Sequence, residues 1–193
     1  MNKIILASQS PRRHQLLRQI GLEDFTILVP DTDESYDETA SPQEIVSSIC
    51  RKKAIAAQEM AQDDGAIIIT ADTMVFLDGL RLGKPRSEEE AHRMLRSLSG
   101  RTHHVCTGVT VCRGNHFDTR CETTAVVFRD LTDEEIWSYI RTGDPMDKAG
   151  SYGVQGKAAL FVTGIEGDYF NVMGLPLHLL GQMLSDFGVE LFA

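Results

Sequence analysis

Short apolar runs and helix-like spacings alternate along the chain. Strands are predicted where apolar residues are contiguous or alternate, and helices where a capping residue precedes apolar positions three and four apart. The predicted strands cover 3–7, 25–29, two runs within 65–79 interrupted by Ala-Asp-Thr, 103–111, a segment near 122–129, and a hairpin of 158–163 with 168–172. Because strands and helices follow one another throughout, the pattern predicts an α/β class.

Five helices are predicted from the signals at their N-termini. Ser41, Ser87 and Thr132 each precede a glutamate by three residues, which is the capping-box pattern. The helix that Ser41 opens is expected to run to about Ala61. Ser10 is expected to cap a helix that begins at Pro11, and the last helix is expected to begin at Pro176.

The composition is that of a globular protein with an acidic surplus. The 193 residues are 42% hydrophobic and 24% charged, with a formal net charge of −9. This charge argues against binding of long polyanions such as DNA or RNA, although a local basic pocket can hold a small phosphorylated ligand. The first apolar run is too short for a signal peptide and no run reaches membrane-span length, so we expect a cytoplasmic protein.

The length suits one domain with a sizeable core or two small lobes around a cleft, and no composition break marks a boundary within 1–193. The cysteines lack metal-ligand and C-x-x-C spacing, so they are expected to be reduced core residues: Cys50, Cys106, Cys112 and Cys121. Strand alternation directs His103 and His104 to opposite faces, so a metal site built on this pair is not expected.

The stretch 4-IILASQSPRRHQLL-17 places two arginines in the first turn of a helix. The free N–H groups and the dipole of a helix N-terminus attract anions and disfavour cations there. A phosphate held by Arg12 and Arg13 would remove this conflict. The alternative, solvated surface arginines with carboxylate partners, has equal weight from this stretch alone, because the glycines of a phosphate-binding loop are missing.

Three further stretches carry candidate chemistry. Asp72 in 70-TADT-73 interrupts an apolar run, where a carboxylate can bind metal or accept a proton from water; the alternative is a turn aspartate. Lys84, before a proline in 82-LGKPR-86, is expected to point out of a loop, or to be an ordinary loop lysine. In 146-MDKAGSYGVQG-156, Gln155 can offer a donor and an acceptor to a base, whereas Lys148 can form a simple surface ion pair with Asp147.

Glu34 lies in the acidic segment 31-DTDESYDETA-40, where a solvated carboxylate is the alternative. Taken together, the candidate side chains combine cations for phosphate oxygens with carboxylates for metal and water. This inventory suits a Mg²⁺-assisted attack of water on a polyphosphate. Its members are Arg12, Arg13, Lys53, Lys84, Lys148, Glu34 and Asp72.

Six motifs, in order along nearly the whole chain, resemble those of the Maf family of nucleoside triphosphate pyrophosphatases. They are LASQSPRR, 69-ITADT-73, 83-GKP-85, 97-SLSGRTHHVCTGV-109, 144-DPMDKAGSYGVQG-156 and 173-MGLP-176. The resemblance implies a fold like that of the inosine triphosphate pyrophosphatases, with an elongated, bent mixed sheet and two lobes around a deep groove. It also implies hydrolysis of a nucleoside triphosphate between the α- and β-phosphates with a divalent metal, Mg²⁺ or Mn²⁺, and a homodimer.

The roles implied by the resemblance fall on matching positions of this chain. Asp72 matches the proposed proton acceptor, Glu34 a groove carboxylate, and both are candidate metal ligands. The phosphate-facing set matches Ser8, Ser10, Arg12, Arg13, Lys53 and Lys84. Lys148 is added to the substrate-binding candidates.

Arg12, Thr73 and Gln155 match the positions that separate the substrate branches of the family. Their combination resembles the branch that prefers dTTP and UTP, with some modified pyrimidine nucleotides, rather than the 7-methyl-GTP branch. Thr70 departs from the family pattern, in which glycine is more usual at this position. The resemblance therefore does not fix the backbone conformation around position 70. Because the family is associated with inhibition of septum formation, a nucleotide-binding regulator without turnover is a further alternative.

Overall fold

The computed structural model describes residues 3–192. Its strands are β1 Ile4–Leu6, β2 Phe25–Ile27, β3 Ile67–Leu77, β4 Leu80–Leu82, β5 Thr102–Arg113, β6 His116–Phe128 and β7 Val162–Glu166. Its α-helices are α1 Pro11–Gln19, α2 Pro42–Ala61, α3 Glu88–Leu98, α4 Asp133–Ile140, α5 Tyr169–Met173 and α6 Leu177–Asp186. Short 3-10 helices cover Asp144–Asp147, Ala149–Ser151 and Lys157–Phe161. The predicted α/β class is confirmed.

All seven strands belong to one mixed sheet. The strand order is β2-β1-β3-β5-β6-β7, and β4 pairs with β3. Ile4 of β1 lies opposite Phe25 of β2 and Ile67 of β3, and both pairs are parallel. The β3–β4 and β6–β7 pairs are antiparallel. None of the helices within residues 3–192 has the length and apolar character needed to cross a membrane.

The chain divides into two compact units. The first comprises Met1–Asp72, Thr107–Glu122 and Gly174–Ala193, as far as these ranges are described, and the second comprises Thr73–Cys106 and Thr123–Met173. Strands β3, β5 and β6 each contribute residues to both units. The expectation of a single two-lobed domain over 1–193 stays a prediction.

The first unit packs α2 closely onto the sheet. Ala54 and Ala57 of α2 belong to a buried apolar cluster with Ile5 of β1 and Ile68 of β3. The helix also lies close to Gly108 of β5, where an added Cβ would be 2.5 Å from a carbonyl oxygen of the helix. The small residues on both sides therefore set the distance between α2 and the sheet.

The second unit contains an aromatic core. His103 is fully buried, and its Nε2 lies 2.7 Å from the hydroxyl oxygen of Tyr152. The rings of His103 and Phe128 meet edge to face at 4.9 Å, and Phe128 packs against Phe161 in turn. Burial lowers the pKa of His103 to about 4, so this imidazole is neutral at neutral pH. His104 is exposed, as strand alternation predicted.

One predicted break in a strand is wrong. The Ala-Asp-Thr segment within 65–79 does not interrupt the β-structure, because β3 runs without a break from Ile67 to Leu77. Two polar side chains of this stretch of β3 form hydrogen bonds with residues of α2. The Thr70 hydroxyl donates to the backbone carbonyl of Cys50 at 2.7 Å, and Asp72 accepts from Lys53. A β-branched threonine and a paired carboxylate are therefore accommodated inside the strand.

The predicted hairpin of 158–163 with 168–172 is also wrong. Residues 157–161 form a 3-10 helix, β7 pairs with β6 instead, and α5 follows from Tyr169. Gly167, with φ +123°, ends the β7 segment, and Asp168 Oδ1 accepts from the Phe170 N–H at 2.7 Å. This aspartate-to-backbone bond starts a helical turn where alternation of apolar residues suggested a strand.

Strands β5 and β6 are longer than predicted. The two-residue turn at Gly114-Asn115 is confirmed, and β6 begins directly after it rather than near 122. The run 103–111 was expected to be half-buried, but β5 is buried continuously from Val105 to Cys112. Burial of successive residues shows that both faces of β5 are covered, while β3 and β6 pair with its two edges.

The capping predictions hold in part. Ser41 and Thr132 form complete capping boxes. Ser87 accepts from the Glu90 N–H, but the Glu90 carboxylate accepts from the Arg86 N–H instead of the cap residue. Ser10 occupies the N-cap of α1 without a side-chain capping bond to the described residues, and its own N–H donates to Ser8.

Gly108→Ala should destabilise the protein by about 1–3 kcal/mol, because the new methyl group would overlap the α2 backbone. Urea unfolding followed by circular dichroism measures this change. The matched control is Gly83→Ala, since a Cβ at Gly83 meets no described atom within 4 Å. Equal stability of the two variants would contradict a backbone contact at Gly108.

Candidate active site

The loop between β1 and α1 is folded around Ser8. The Ser8 Oγ accepts hydrogen bonds from the Ser10 N–H and from Arg13 Nη1, both at 3.2 Å. The carbonyl oxygen of Ser8 lies 2.8 Å from His14 Nε2. Ser8 is buried, so these bonds replace the water that the loop would otherwise bind.

Arg13 is anchored in the first unit by its own loop and by a distant backbone carbonyl. Its Nε donates to the carbonyl oxygen of Gly174 at 2.8 Å. Burial lowers the pKa of Arg13, and the neighbouring Arg12 guanidinium adds to this, whereas the charges of Asp72 and Glu34 oppose it. A guanidinium remains charged under these conditions. Arg13 is half-buried and bonded to Ser8 and Gly174, so it is not a freely solvated arginine, while its role in phosphate binding stays a prediction.

Helix α2 and strand β3 bring together a cation and two carboxylates. Lys53 Nζ lies 2.7 Å from Asp72 Oδ1 and 2.8 Å from Glu34 Oε1. The Lys53 and Asp72 side chains are only 16% and 13% exposed, whereas Glu34 is 55% exposed. This arrangement is a half-buried ion pair with a third, more solvated charge at its rim.

One carboxylate oxygen of Asp72 accepts a hydrogen bond, and the other has no partner among the described residues. Oδ1 accepts from Lys53, whereas Oδ2 is buried and has no hydrogen-bond partner among residues 3–192. A buried carboxylate oxygen without a partner is costly in a folded protein, so it marks a position suited to a ligand. Asp72 is thus placed in a strand rather than a turn, and the turn-aspartate alternative is wrong.

Glu34 is held by the loop that carries it. The loop is tied to α2, because Lys52 Nζ donates to the carbonyl oxygen of Ser35 at 2.6 Å. The Asp33 carboxylate accepts from the N–H and the hydroxyl of Ser35, and these two bonds lower the pKa of Asp33. Glu34 is therefore not a freely solvated carboxylate, since its Oε1 forms an ion pair with Lys53 at 2.8 Å and the next residue in its loop is bonded to α2.

The donor set at this position fits a hard divalent cation. Mg²⁺ is commonly bound by one or two carboxylates, with water and substrate phosphates completing the shell. Glu34 and the open oxygen of Asp72 provide such carboxylates. Among residues 3–192 there is no group of three or more His, Cys, Asp or Glu side chains that could hold a metal alone, so a Zn²⁺-type site is not formed there.

Four of the predicted site residues belong to the second unit, whereas Ser10 and Arg12 lie in the first. Thr73 follows Asp72 in β3 and is half-buried, Lys84 is exposed after β4, and Gln155 is exposed in a turn. Lys148 Nζ donates to Asp147 Oδ1 at 2.7 Å and to Asp144 Oδ1 at 2.9 Å. The ion-pair alternative for Lys148 therefore describes its contacts, while its role towards a substrate stays a prediction.

Two residues that support this cluster were not identified from the sequence as part of the site. The carbonyl group of Gly174 anchors Arg13, and a backbone acceptor leaves no side-chain signal, although 173-MGLP-176 was recognised as a motif. Thr70 donates to the Cys50 carbonyl, which lies one helical turn before Lys53. The period-two relation of Thr70 to Asp72 was the available signal.

The expected core role of the cysteines is confirmed for three of them. Cys50, Cys106 and Cys112 are buried thiols that form no disulfide within residues 3–192, and Cys121 is half-buried. Burial raises the pKa of Cys50 to about 12 and that of Cys112 to about 11. A thiol with such a pKa is protonated at neutral pH, so neither residue is a catalytic nucleophile.

Comparison with known proteins places this chain among a large set of relatives. The family model described as "Maf-like protein" matches residues 3–187. A "dTTP/UTP pyrophosphatase" of Symbiobacterium thermophilum is 48% identical over 192 residues, covering 100% of this chain and 97% of the relative. A protein of the same name from Geobacillus sp. is 52% identical over 177 residues, covering 92% and 94%.

Solved structures with low identity share the fold. The Ham1 protein of Staphylococcus aureus is 16% identical with a TM-score of 0.53, covering 96% of this chain and 99% of its own. A HAM1 protein from Coxiella burnetii is 15% identical with a TM-score of 0.54, covering 96% and 100%. The predicted fold family is confirmed by these matches.

Iodoacetamide at pH 8 should modify Cys121 and leave Cys50 and Cys112 unmodified in the folded protein. The raised pKa values keep both thiols protonated at this pH, and only the thiolate reacts. Peptide mass spectrometry measures the modification at each site. All four cysteines should react in urea, and fast modification of Cys50 without urea would contradict its burial.

Proposed function

We propose that this chain, which belongs to the Maf family, hydrolyses dTTP and UTP to the nucleoside monophosphate and pyrophosphate. One observation supports the chemistry. Lys53 binds Oδ1 of Asp72, and the buried Oδ2 of the same carboxylate has no hydrogen-bond partner among residues 3–192. The names of the relatives, which match this chain at 48% and 52% identity, support the choice of substrate.

Asp72 is the general base of the proposed reaction. A water oxygen forms a bond to the α-phosphorus, and its proton passes to Oδ2 of Asp72. The bond from the α-phosphorus to the bridging oxygen breaks, and that oxygen leaves with the electron pair as part of pyrophosphate. Because Oδ1 is fixed by Lys53 at 2.7 Å, Oδ2 is presented in one orientation.

The cations of the first unit stabilise negative charge in the proposed transition state. Arg13 is preorganised by its bonds to Ser8 and Gly174, so it loses little freedom when a phosphate binds. Its guanidinium fork suits phosphate oxygens, and Arg12 lies on the same helical turn. Lys53 contributes a third positive charge and bridges the two carboxylates of the site.

A divalent cation, Mg²⁺ or Mn²⁺, is part of the proposal. Glu34 and Asp72 would hold it, in keeping with the carboxylate preference of these ions. When bound, such a cation neutralises phosphate charge. The protein's own contribution is to supply two carboxylates at a position that already contains Lys53 and Arg13.

Selectivity for the base is assigned to Gln155, with Thr73 and Arg12, on the strength of the family resemblance. The same resemblance supports phosphate binding by Ser10 and Lys84 and a substrate contact for Lys148.

A homodimer is also proposed, and light scattering of the purified protein measures it directly. The 7-methyl-GTP branch and a regulator of septum formation are the alternatives that a substrate panel distinguishes.

Asp72→Asn should retain the fold and lower kcat at least about 100-fold, because an amide cannot accept the proton from water. Pyrophosphate release with Mg²⁺ or Mn²⁺ is measured against dTTP, UTP, CTP, GTP, 7-methyl-GTP and ITP. The matched control is Asp64→Asn, the same change at an exposed carboxylate of the first unit. Thermal unfolding verifies that both variants fold.

The outcomes of this panel separate the candidates. Turnover of dTTP and UTP that is lost in Asp72→Asn supports the proposed chemistry and substrate. Turnover of 7-methyl-GTP alone would overturn the substrate assignment, and nucleotide binding without turnover would favour a regulatory protein. Full activity of Asp72→Asn would remove this residue from the mechanism.

Gln155→Glu should lower kcat/KM for dTTP and UTP by about tenfold or more, because it replaces an amide that donates with a carboxylate that only accepts. Steady-state kinetics with both nucleotides measures the change. Gln182→Glu, at an exposed position of α6, makes the same substitution away from the predicted site. An unaltered substrate profile in the Gln155 variant would count against base recognition by this residue.

A further inference from the structure

We infer that Thr70 is a positioning residue of the candidate active site, because its hydroxyl fixes the backbone of α2 where Lys53 meets Asp72. The Thr70 Oγ1 donates to the carbonyl oxygen of Cys50 at 2.7 Å, and both residues are fully buried. The catalytic consequence of this contact rests on the proposed function, whereas its effect on the position of Lys53 does not.

Two contacts between α2 and β3 lie side by side, because the residues that form them share one face of the strand and one side of the helix. Thr70 and Asp72 are two apart in a strand and therefore project from the same face. Cys50 and Lys53 are three apart in a helix and therefore lie on the same side. The first contact joins Thr70 to Cys50 and the second joins Asp72 to Lys53, both at 2.7 Å.

A hydrogen bond to the Cys50 carbonyl restrains the part of α2 that carries Lys53. In an α-helix the carbonyl of residue 50 points towards the N–H of residue 54, so its oxygen belongs to the same helical turn as Lys53. A bond to this oxygen therefore fixes the backbone that carries the lysine. A side-chain contact would act through rotatable bonds and would hold the helix less firmly.

The apolar contacts of α2 do not set its position along its own axis. A directional bond from Gln58 Nε2 to the carbonyl oxygen of Gly114, at 2.7 Å, lies five residues beyond Lys53 and acts through rotatable side-chain bonds. Gly108 determines how closely the helix approaches the sheet, and the alanines of the apolar cluster pack without directional preference. A shift of one residue moves a helix by about 1.5 Å, which is enough to break a contact of hydrogen-bond length. The directional bond from Thr70 opposes this shift.

A second buried threonine provides a matched control. Thr110 of β5 is also fully buried, and its Oγ1 lies 3.1 Å from the Cys50 thiol and 2.9 Å from the Thr119 hydroxyl. Its partner on α2 is a rotatable side chain rather than the backbone. Thr110→Val thus removes a buried hydroxyl next to the same cysteine without removing a bond to the helix backbone.

The experiment compares Thr70→Val, Thr70→Ser and Thr110→Val in the full chain. Valine keeps the volume and removes the hydroxyl, so we expect kcat for dTTP to fall about tenfold, the loss expected for one hydrogen bond, with KM changed less than about threefold. Serine keeps the hydroxyl and should retain activity. Thr110→Val should lower the midpoint of thermal unfolding and leave kcat near the wild-type value.

A double-mutant cycle tests whether Thr70 acts through Lys53. In a Lys53→Ala background, Thr70→Val should produce no further loss of kcat, because the group that it positions is gone. A purely structural role predicts instead that the two losses multiply. Thr70→Ala replaces the valine variant if the latter fails to fold.

A measurement without substrate separates this inference from the proposed function. Acetic anhydride acylates free lysines, and mass spectrometry compares Lys53 with the exposed Lys157. Acylation of Lys53 should be slow in the wild type and in Thr70→Ser, and several-fold faster in Thr70→Val. This comparison decides the position of Lys53 even if the wild type hydrolyses no nucleotide.

Three results would overturn the inference. They are a valine variant with wild-type kcat, a multiplicative loss in the cycle, and equal acylation of Lys53 in the valine and serine variants. If no nucleotide is hydrolysed by the wild type while the acylation difference is present, the proposed function fails and the positioning role of Thr70 stands.

Discussion

The site in the first unit depends on one half-buried ammonium group, that of Lys53. It lies 2.7 Å from Asp72 and 2.8 Å from Glu34, so its positive charge offsets the repulsion between a mostly buried carboxylate and a more exposed one. Because the Lys53 and Asp72 side chains are mostly withdrawn from solvent, the pair is stable only where helix and strand are held in register. The docking of α2 on β3 is therefore a requirement of the chemistry as well as of the core.

Docking of this accuracy needs contacts of two kinds. Small residues allow close approach, as Gly108 does where the helix backbone would meet any side chain. Directional bonds then choose one position among those that close packing permits, and the Thr70 hydroxyl supplies such a bond to Cys50. Threonine at this position fits because β3 continues through it as a strand, and the hydroxyl finds its partner on the helix.

Charge is distributed unevenly in this acidic protein. The chain has a net charge of −9, yet Lys53 pairs with Asp72, and the charge of Arg13 interacts both with this carboxylate and with the neighbouring Arg12. Arg13 is positioned before any ligand arrives, by Ser8 and by the carbonyl oxygen of Gly174. A local cationic site within an acidic protein suits a small phosphorylated ligand and disfavours long polyanions, because the field beyond the site is repulsive.

The sequence by itself determined the α/β class, the family and most helix starts, since capping boxes such as that of Ser41 are local and the six motifs are specific. It also singled out Asp72, Lys53 and Arg13. Only the tertiary structure decided that β3 runs through Asp72, that 158–172 is no hairpin, and that Thr70 and the Gly174 carbonyl support the site. The physical reason is the same in each case. A polar group is accommodated in a strand, or a carbonyl anchors an arginine, only when a partner distant in sequence is in place. The local sequence pattern does not identify such partners.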